Sequence, residues 1–408
     1  MATNTWTNSD SGSGNIAQLY KIKYGRWQEN YLNRSNPSLA RIKQMSDLGG
    51  EKSQFAIDVG YIGGAGASDT IPQSNRGVYY RPELTAKTLQ VAADIEHKAL
   101  ALAKSDAGAF VEGQKHTVAK VTQKFQWLRA LALWGPGDGS LGTIDAGGVS
   151  TVTTGSVYDL TISAATFQYR RFQKREIVNI GAGGTDRFEI TAVTPSTRVV
   201  RVTRLSGSTV PVQADKVFLQ NAENAMPTSL RQCFEFASST LYGVTYDEMD
   251  WAPTRVNASG AQISVDMLNE LVLSMDQKSG KTPSALYMSH QVMKSVLNSV
   301  EDRKNYFTQG EAKARNADFG YSAVNFLSVN GAIPMLIEPN LYDTEIVGIV
   351  EDMVIEHKVP GSPDWFKDGG GNMLLPKSGT NGYETRYISY QELEAPPIYT
   401  GQIYGLTV

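Results

Sequence analysis

The feature that most constrains this chain is a long stretch of helical periodicity that stops abruptly at glycine. Residues 107–134 read AGAFVEGQKHTVAKVTQKFQWLRALALW, and residues 135–145 read GPGDGSLGTID. Apolar side chains recur at three- and four-residue steps, whereas polar ones fall mostly elsewhere: Val118, Val121, Phe125, Leu128 and Leu131 against Lys115, Lys120, Gln123 and Lys124. A helix over residues 107–134 would span about 40 Å. The pattern predicts a strut ended by a loop, which is typical of a scaffold.

Charge and cysteine content exclude several classes of protein. The chain has 408 residues, 41% of them hydrophobic, and a formal net charge of −3. A protein that wraps nucleic acid is normally basic, so any contact with DNA should be local. Cys233 is the single cysteine, which excludes an intramolecular disulfide. The N-terminus lacks the basic start and apolar run of a signal peptide, and we expect no membrane span.

The first hundred residues predict an arm and an extended excursion. The arm carries Lys21, Lys23, Arg26, Arg34, Arg41 and Lys43 against Glu29, with aromatic residues at helical steps, Tyr20, Tyr24, Trp27 and Tyr31. This pattern favours packing on its own or a neighbouring subunit over binding nucleic acid. In residues 55–95, β-prone ends (55–62, 78–80 and 88–92) flank a Gly/Ser/Asn/Pro-rich middle, which predicts a two-stranded excursion that needs a partner surface.

Residues 150–221 predict a separate β domain, either a small barrel or a sandwich. Its candidate strands are 157–162, 176–180, 188–193, 199–204 and 216–219, with glycine-rich turns between several of them. The run YRRFQKR within it contains Tyr169, Arg170, Arg171, Lys174 and Arg175. We interpret this run as a solvated β face in preference to an anion site.

The rest of the chain predicts an α/β layer and then two long strands. Residues 265–275 and 291–300 have helical spacing, and residues 285–288 and 334–337 are short apolar strand candidates. Residues 353–358 and 383–393 predict antiparallel strands that pack beside the strut helix.

No motif for catalysis or for a cofactor is present. The four histidines, His97, His116, His290 and His357, lack metal-ligand spacing. SGKT at 279–282 lacks the first glycine of a phosphate-binding loop, because Met275 stands there. GPGDGSLG follows a helix and not a strand, so it is interpreted as a turn. Cys233 lies beside phenylalanines and is expected to pack. We predict no catalytic, cofactor-binding or metal site and no cofactor.

Taken in order, these segments resemble the major capsid proteins of tailed bacteriophages, which have the Hong Kong 97-type fold. The resemblance covers essentially the whole chain and is carried by GAFVEGQ (108–114), ALALWGPGDGSLG (130–142), PSALYMSHQVMKSVL (283–297) and PMLIEPNLYDTEIVGIVEDM (334–353). It implies an α+β fold with an N-terminal arm (1–48), an extended loop (49–92), a peripheral domain with the spine helix (93–149), an inserted β-barrel domain (150–221), an axial domain (222–350), peripheral strands (351–395) and a tail returning to the axial domain (396–408).

The resemblance also implies a function and partners. Pentamers and hexamers would form an icosahedral shell around double-stranded DNA, in a virion assembled in the host cytoplasm. A scaffolding protein, a portal and a decoration protein would be partners, and contact with the packaged DNA would be weak and non-specific. Some relatives form covalent cross-links through a lysine on the extended loop. Here no lysine lies between Lys52 and Lys87, so we expect a non-covalent shell.

Two alternatives stay open from the sequence. An encapsulin-type compartment protein would share the fold, although the inserted β domain and the basic arm favour a virus. A β-rich carbohydrate-binding or hydrolytic protein would suit the many Tyr, Gly and Thr residues. It would need a convergent carboxylate or aromatic site, and the sequence does not assemble one.

Overall fold

The long helix is present, and it ends where the glycine-rich stretch begins. The computed structural model describes residues 37–50, 52–58, 67, 79–96, 113–153, 156–237, 240–304, 324–328, 331–368, 371–377 and 382–407. The helix spans Gly113–Trp134; residues 107–112 lie outside the described part. The predicted apolar face is confirmed from Val121 to Leu131, where the side chains at the predicted steps are buried. The last turn is buried all round, since Ala130–Trp134 has no exposed residue.

Helices make up a minor part of the described chain. In chain order they are α1 (Pro37–Arg41), α2 (Gly113–Trp134), α3 (Leu230–Phe234), α4 (Val265–Ser279) and α5 (His290–Lys304), with 3-10 turns at Tyr169–Arg171, Glu351–Met353 and Pro397–Tyr399. Ser264 begins α4 by accepting a hydrogen bond from the Met267 N–H at 3.3 Å, and Gly280 ends it in the left-handed conformation. The predicted helices at 265–275 and 291–300 are therefore confirmed.

Strands dominate the fold. They are β1 (Lys43–Met45), β2 (Ser53–Gln54), β3 (Ile57–Asp58), β4 (Tyr79–Tyr80), β5 (Glu83–Leu84), β6 (Lys87–Glu96), β7 (Ser140–Thr153), β8 (Val157–Ile162), β9 (Ile177–Ile180), β10 (Arg187–Thr194), β11 (Val199–Ser206), β12 (Lys216–Leu219), β13 (Thr240–Leu241), β14 (Val244–Thr245), β15 (Thr254–Asn257), β16 (Ala285–Met288), β17 (Val324–Ser328), β18 (Gly331–Ile337), β19 (Glu345–Ile349), β20 (Ile355–Lys358), β21 (Asp364–Trp365), β22 (Leu375–Pro376), β23 (Gly382–Glu394) and β24 (Thr400–Tyr404).

The described residues fall into two units. The first holds residues 89–96, 113–129, 361–368, 371–377 and 382–389, and the second holds the remaining described residues. This division does not establish the seven predicted segments, which stay a prediction.

The first unit packs β23 beside the helix. Strands β21 and β22 pair antiparallel with β23, and β6 pairs with it as well. The Tyr387 ring of β23 lies edge-on to Phe125 of α2, with ring centroids 4.9 Å apart, and at the same distance from the Trp365 ring. The predicted strands at 353–358 and 383–393 do pair antiparallel, as β20 and β23, and the packing of 383–393 beside the strut is confirmed; packing of 353–358 beside the strut stays a prediction.

The second unit is built on a mixed sheet with two buried faces. Its strand order is β15-β24-β19-β16-β18-β17. Leu286 and Met288 of β16 pack with apolar residues of α4 and α5, whereas Ala285 and Tyr287 face a second core that includes Trp134. Burial on both faces explains why the sequence of β16, ALYM (285–288), is continuously apolar. The predicted α/β layer is confirmed.

The inserted β domain is a closed barrel of six strands, in the order β10-β11-β8-β7-β12-β9. The barrel alternative is therefore correct, and the sandwich is not. Strands β8 and β12 have the predicted bounds. The prediction of a loop at residues 140–145 is wrong, because these residues begin β7, which pairs with β8 and β12. The glycine-containing composition of this segment does not predict a strand. Closure of the barrel makes it one, because β8 and β12 supply its hydrogen-bond partners.

The base of the predicted excursion is a narrow antiparallel ladder. Strand β2 pairs with β5, and β3 pairs with β4; residues 59–66 and 68–78 lie outside the described part. Residues 88–92 were predicted as one end of the excursion, and this is wrong. They belong to β6, a ten-residue strand that pairs with β23. Of the predicted arm, residues 1–36 lie outside the described part.

Candidate functional site

Two buried arginines meet the end of the long helix. The Trp134 carbonyl oxygen accepts hydrogen bonds from Arg171 Nη2 at 3.1 Å and from Arg231 Nε at 3.3 Å. Unpaired carbonyls at a helix C-terminus carry partial negative charge, so cations there are stabilising. We call Trp134, Arg171, Arg231 and the segment 340–345 the helix-end junction. It holds the end of α2 in place with groups from two distant parts of the chain.

Arg231 is neutralised by acidic partners. Its Nη1 lies 3.1 Å from Glu345 Oε2 and 2.5 Å from Glu235 Oε1, and its Nη2 also donates to Glu345. Burial opposes the charged form of the guanidinium, yet the carboxylates of Glu345 and Glu235 hold the pKa of Arg231 above its ordinary value. Both Arg231 and Glu345 are almost fully buried. This pair is a fixed structural element and offers no free charge for catalysis.

Arg171 joins the barrel to the α/β layer. It lies in the 3-10 turn Tyr169–Arg171 and donates to Asn340 O at 3.0 Å and to the Tyr342 hydroxyl at 2.8 Å. The neighbouring Gln168 amide donates to Leu341 O at 2.5 Å. The interpretation of YRRFQKR as a solvated β face is wrong for Arg171. The run begins with a 3-10 turn, and the Arg171 side chain points inward to the carbonyl oxygens of Trp134 and Asn340.

A second group of buried polar side chains holds the segment that follows the arm. The Ser38 hydroxyl donates to Glu338 Oε2 at 2.6 Å and accepts from Trp134 Nε1 at 2.9 Å. Burial raises the pKa of the Glu338 carboxyl. Three residues later, Arg41 forms two hydrogen bonds with Glu351, at 2.6 and 2.8 Å. Residues 37–48 are therefore fastened to the rest of the second unit from their first turn onward.

His357 fastens the same segment further along. Its Nδ1 lies 2.6 Å from Asp47 Oδ1, and its Nε2 lies 2.7 Å from Glu394 Oε2. Hydrogen bonding to Glu394, reinforced by Asp47, raises the pKa of His357 against the opposing effect of burial. An imidazolium can donate to both carboxylates, whereas a neutral ring can donate to only one. His357 therefore donates hydrogen bonds to both Asp47 and Glu394 only when its ring is protonated.

An open cleft of about 430 Å³ lies at the base of the excursion. Tyr79, Tyr80 and Arg81 form one wall, and residues 243–247 form the other. We call it the tyrosine cleft. The two walls are joined by the Tyr80 hydroxyl, which donates to Asp247 at 3.3 Å. Just beyond the cleft, the Glu83 N–H joins the same two segments by donating to Tyr242 O at 2.8 Å. The cleft is therefore built by two segments that are distant in sequence.

The residues considered for chemistry do not come together. Cys233 is fully buried, 3.4 Å from Ser229 O and 3.8 Å from the Tyr242 hydroxyl. Burial raises the pKa of the thiol to about 12, so it is a packing group and not a nucleophile. SGKT lies at the C-terminal end of α4, whereas a phosphate-binding loop precedes a helix. Within the described ranges, no group of three or more His, Cys, Asp or Glu side chains could hold a metal ion.

Sequence reasoning missed the junction arginines for a physical reason. Arginine is normally exposed, and its burial depends on partners supplied by other segments. No local pattern in the run 169–175 identifies those partners. None of the described helices is both long and apolar enough to cross a membrane.

Comparison with known proteins identifies the fold and no closer relationship. No protein-family profile matches the chain, and no curated protein matches it in sequence. Among solved structures, the capsid asymmetric unit of cyanophage A-1(L) aligns over 97% of this chain and 99% of its own, with a TM-score of 0.56 and 8% identity. The chain has the fold of a phage capsid protein.

Two further solved structures align over similar lengths but less closely. The capsid of a native GTA particle covers 97% of this chain and 99% of its own, with a TM-score of 0.48 and 11% identity. A structure of Mycobacterium phage Adephagia covers 98% and 99%, with a TM-score of 0.45 and 9% identity. The capsid fold is assigned on the cyanophage structure. At the level of the fold, the resemblance to phage capsid proteins that the order of the segments indicated is confirmed.

Proposed function

We propose that this chain is the major capsid protein of a tailed bacteriophage. The observation that carries the proposal is the alignment of the cyanophage capsid subunit over nearly the whole of both chains. A chain that merely contained a similar domain would leave large unmatched segments. In this proposal, copies associate as pentamers and hexamers into an icosahedral shell that encloses double-stranded DNA.

The build of the described residues supports a structural role. The ionic and polar groups that the fold buries, such as Arg171, Arg231 and Ser38, bond to other parts of the same chain. In the part of the chain that the structure describes, the base of the excursion consists of two-residue ladders. Because short two-stranded ladders are marginal alone, the excursion is suited to lie on another copy. A homo-oligomer supplies that surface at every position of a symmetric shell.

The remaining roles follow from the same proposal. A scaffolding protein would direct assembly, a portal would occupy one vertex, and a decoration protein would bind the outer surface. The net charge of −3 suits a wall that holds packaged DNA by weak, non-specific contacts, since strong phosphate binding would hinder release. The protein would be found in the virion after assembly in the host cytoplasm, and it would not be an enzyme.

Sedimentation velocity of the purified chain, followed by electron microscopy of the fastest fraction, tests the proposal. We expect pentamers, hexamers or closed shells. An inert monomer over a wide concentration range would contradict it.

Covalent cross-linking is tested on the same particles. No lysine lies between Lys52 and Lys87, so the excursion has no amine with which to form an isopeptide bond. Boiled particles should run as one band, at the mass of a single chain, in a denaturing gel. A ladder of multimers would show that the shell is covalently linked.

A further inference from the structure

We propose that residues 43–48 form a proton-operated latch, which is closed while the His357 ring bridges Asp47 and Glu394 and opens when the ring loses its proton. These residues are the last part of the predicted N-terminal arm (1–48). The latch is a property of the single folded chain, so the inference does not depend on the proposed capsid role.

The backbone ladder that holds the latch is short. Strand β1 pairs with β20 in parallel over three residues, Lys43–Met45, and the Leu48 N–H donates to the Lys358 carbonyl oxygen at 3.0 Å. Met45 lies opposite His357 in this ladder. Because so short a ladder is marginally stable by itself, the side-chain contacts of the segment, those of Asp47 and the buried Leu48 among them, decide whether it stays closed.

His357 is the titratable group of the latch, and it lies between two carboxylates. Its Nδ1 is 2.6 Å from Asp47 Oδ1, in the latch, and its Nε2 is 2.7 Å from Glu394 Oε2, in β23. Glu392 stands directly opposite His357 in the β20–β23 ladder, so its side chain points to the same face. The charged residues on either side of His357 in β20 point to the other face and lie 3.5 Å apart: Glu356 and Lys358.

Loss of the proton breaks the contact on the latch side. A neutral imidazole keeps a single N–H, so it can donate to one carboxylate only. The Glu394 side chain is 17% exposed and that of Asp47 is 45% exposed, so water replaces the hydrogen bond more easily at Asp47. The remaining proton therefore stays on Nε2, and the Nδ1 lone pair then faces the Asp47 carboxylate. That contact is repulsive and favours the open segment.

The direction of the pH effect follows from the carboxylate that the open state lacks. In the closed latch, hydrogen bonds to Glu394 and Asp47 raise the pKa of His357 against the opposing effect of burial. In the open latch only Glu394 stays close, so the pKa of His357 is lower than in the closed one. The closed state therefore binds the proton more tightly, and opening becomes more favourable as the pH rises above the pKa of the open state.

Glu392 shifts the pH at which the latch opens. Burial raises the pKa of its carboxyl to about 7, against the hydrogen bonds from Thr228 and Leu393 and the charge of Lys87. Glu392 therefore gains its negative charge as the pH rises through about 7. Because this charge lies on the same face as His357, it favours the imidazolium and moves opening to higher pH.

Hydrogen exchange of the full-length chain tests the latch, in a fraction whose sedimentation does not change with pH. Between pH 6 and 9, the protection factor of the Leu48 amide should fall about fivefold. At every pH this amide should exchange faster than the amides of β16, because the latch opens while the central sheet stays folded. Equal protection in both places would mean that the segment opens only when the chain unfolds, and would overturn the proposal.

Three variants make the test specific. His357→Gln should show low Leu48 protection that does not change between pH 6 and 9, since the amide side chain does not titrate. Asp47→Asn, at a half-exposed position, should behave likewise although it keeps the histidine. The matched control His290→Gln removes an exposed histidine at the start of α5 and should keep the wild-type response. Wild-type protection that is constant or rises with pH, or a response that survives in Asp47→Asn, would show that no such latch exists.

Discussion

Arg231 and Glu345 show how a single buried pair can hold distant segments together. The guanidinium connects α3, the end of α2 and the first residue of β19. Charges in a protein interior are costly unless they are paired, so the intact pair avoids the cost of a buried, uncompensated charge. Its effect on stability becomes measurable when one partner is removed.

Replacing Arg231 with methionine should lower the free energy of unfolding by about 3–5 kcal/mol, because Glu345 is left buried without its cation. Urea denaturation of the wild type and the variant measures this difference. Arg201→Met is the matched control: Arg201 contacts Asp159 at 2.7 and 2.8 Å on the barrel surface, where solvent weakens the interaction and little change is expected. Equal losses for the two variants would contradict the assigned role of the buried pair.

His357 should make stability depend on pH. Its pKa in the folded chain is raised above about 6.5, the ordinary value in an unfolded chain. The folded state therefore binds the proton more tightly, and the stabilisation is complete below about pH 6.5. It is lost as the pH rises through the raised folded pKa.

Urea denaturation of the wild type and His357→Gln from pH 5.5 to 9 tests this dependence. The stability difference should be on the order of 1 kcal/mol at the acid end and should shrink towards the alkaline end. A stability difference that grows with pH would have the wrong sign. It would exclude stabilisation by a protonated His357 bonded to Asp47 and Glu394.

At the scale of elements, the turn after α2 decides where the barrel begins. Gly137 and Gly139 both have positive φ, of 79° and 83°, and a Cβ at Gly139 would lie 2.1 Å from the Ala222 carbonyl oxygen. Glycine is needed there for two independent reasons, conformation and space. The turn thus directs the chain from the helix into β7.

Gly139→Ala should lower the free energy of unfolding by about 2–4 kcal/mol, because backbone strain and a backbone clash add. Gly147→Ala is the control, since Gly147 also has positive φ but an added Cβ there meets nothing within 4 Å. It should cost about 1 kcal/mol. Thermal denaturation of both variants measures the difference, and similar losses would mean that space at Gly139 is unimportant.

At the scale of the whole molecule, the barrel is a self-contained insert. Its ladder is closed, and its ends meet, because Ser140 of β7 is paired with Phe218 of β12. Its own core includes the fully buried Leu160, Ile190 and Val202. Apart from the chain connections, the described contacts that fasten it to the α/β layer include those of Gln168 and Arg171.

Replacing residues 141–217 with Gly-Gly should therefore leave a folded remainder. The loss of the Arg171 hydrogen bonds should lower its stability by about 2 kcal/mol. Hydrogen exchange in β16 and β19 measures whether the central sheet stays protected. Arg171→Met in the intact chain is the control and should reproduce the loss. An unprotected sheet after excision would show that the barrel is needed for the α/β layer to fold.

The sequence by itself determined the elements whose period and boundaries are local. The strut helix, the apolar strand at 285–288 and five of the six barrel strands follow from periodicity and turn residues, because a strand or helix that buries one face must repeat its apolar side chains at a fixed step. The order of these elements was enough to indicate the capsid fold, without a catalytic motif or a sequence relative.

Only the tertiary structure decided which segments meet. Residues 140–145 are a strand because the barrel closes around them, and residues 88–92 pair with β23 and not with the excursion. Arg171 and Arg231 are buried because carbonyl and carboxylate oxygens from distant segments surround them. Hydrogen-bond partners and charge neutralisation across more than a hundred residues leave no periodic trace in the sequence, so the helix-end junction and the tyrosine cleft became visible only in the fold.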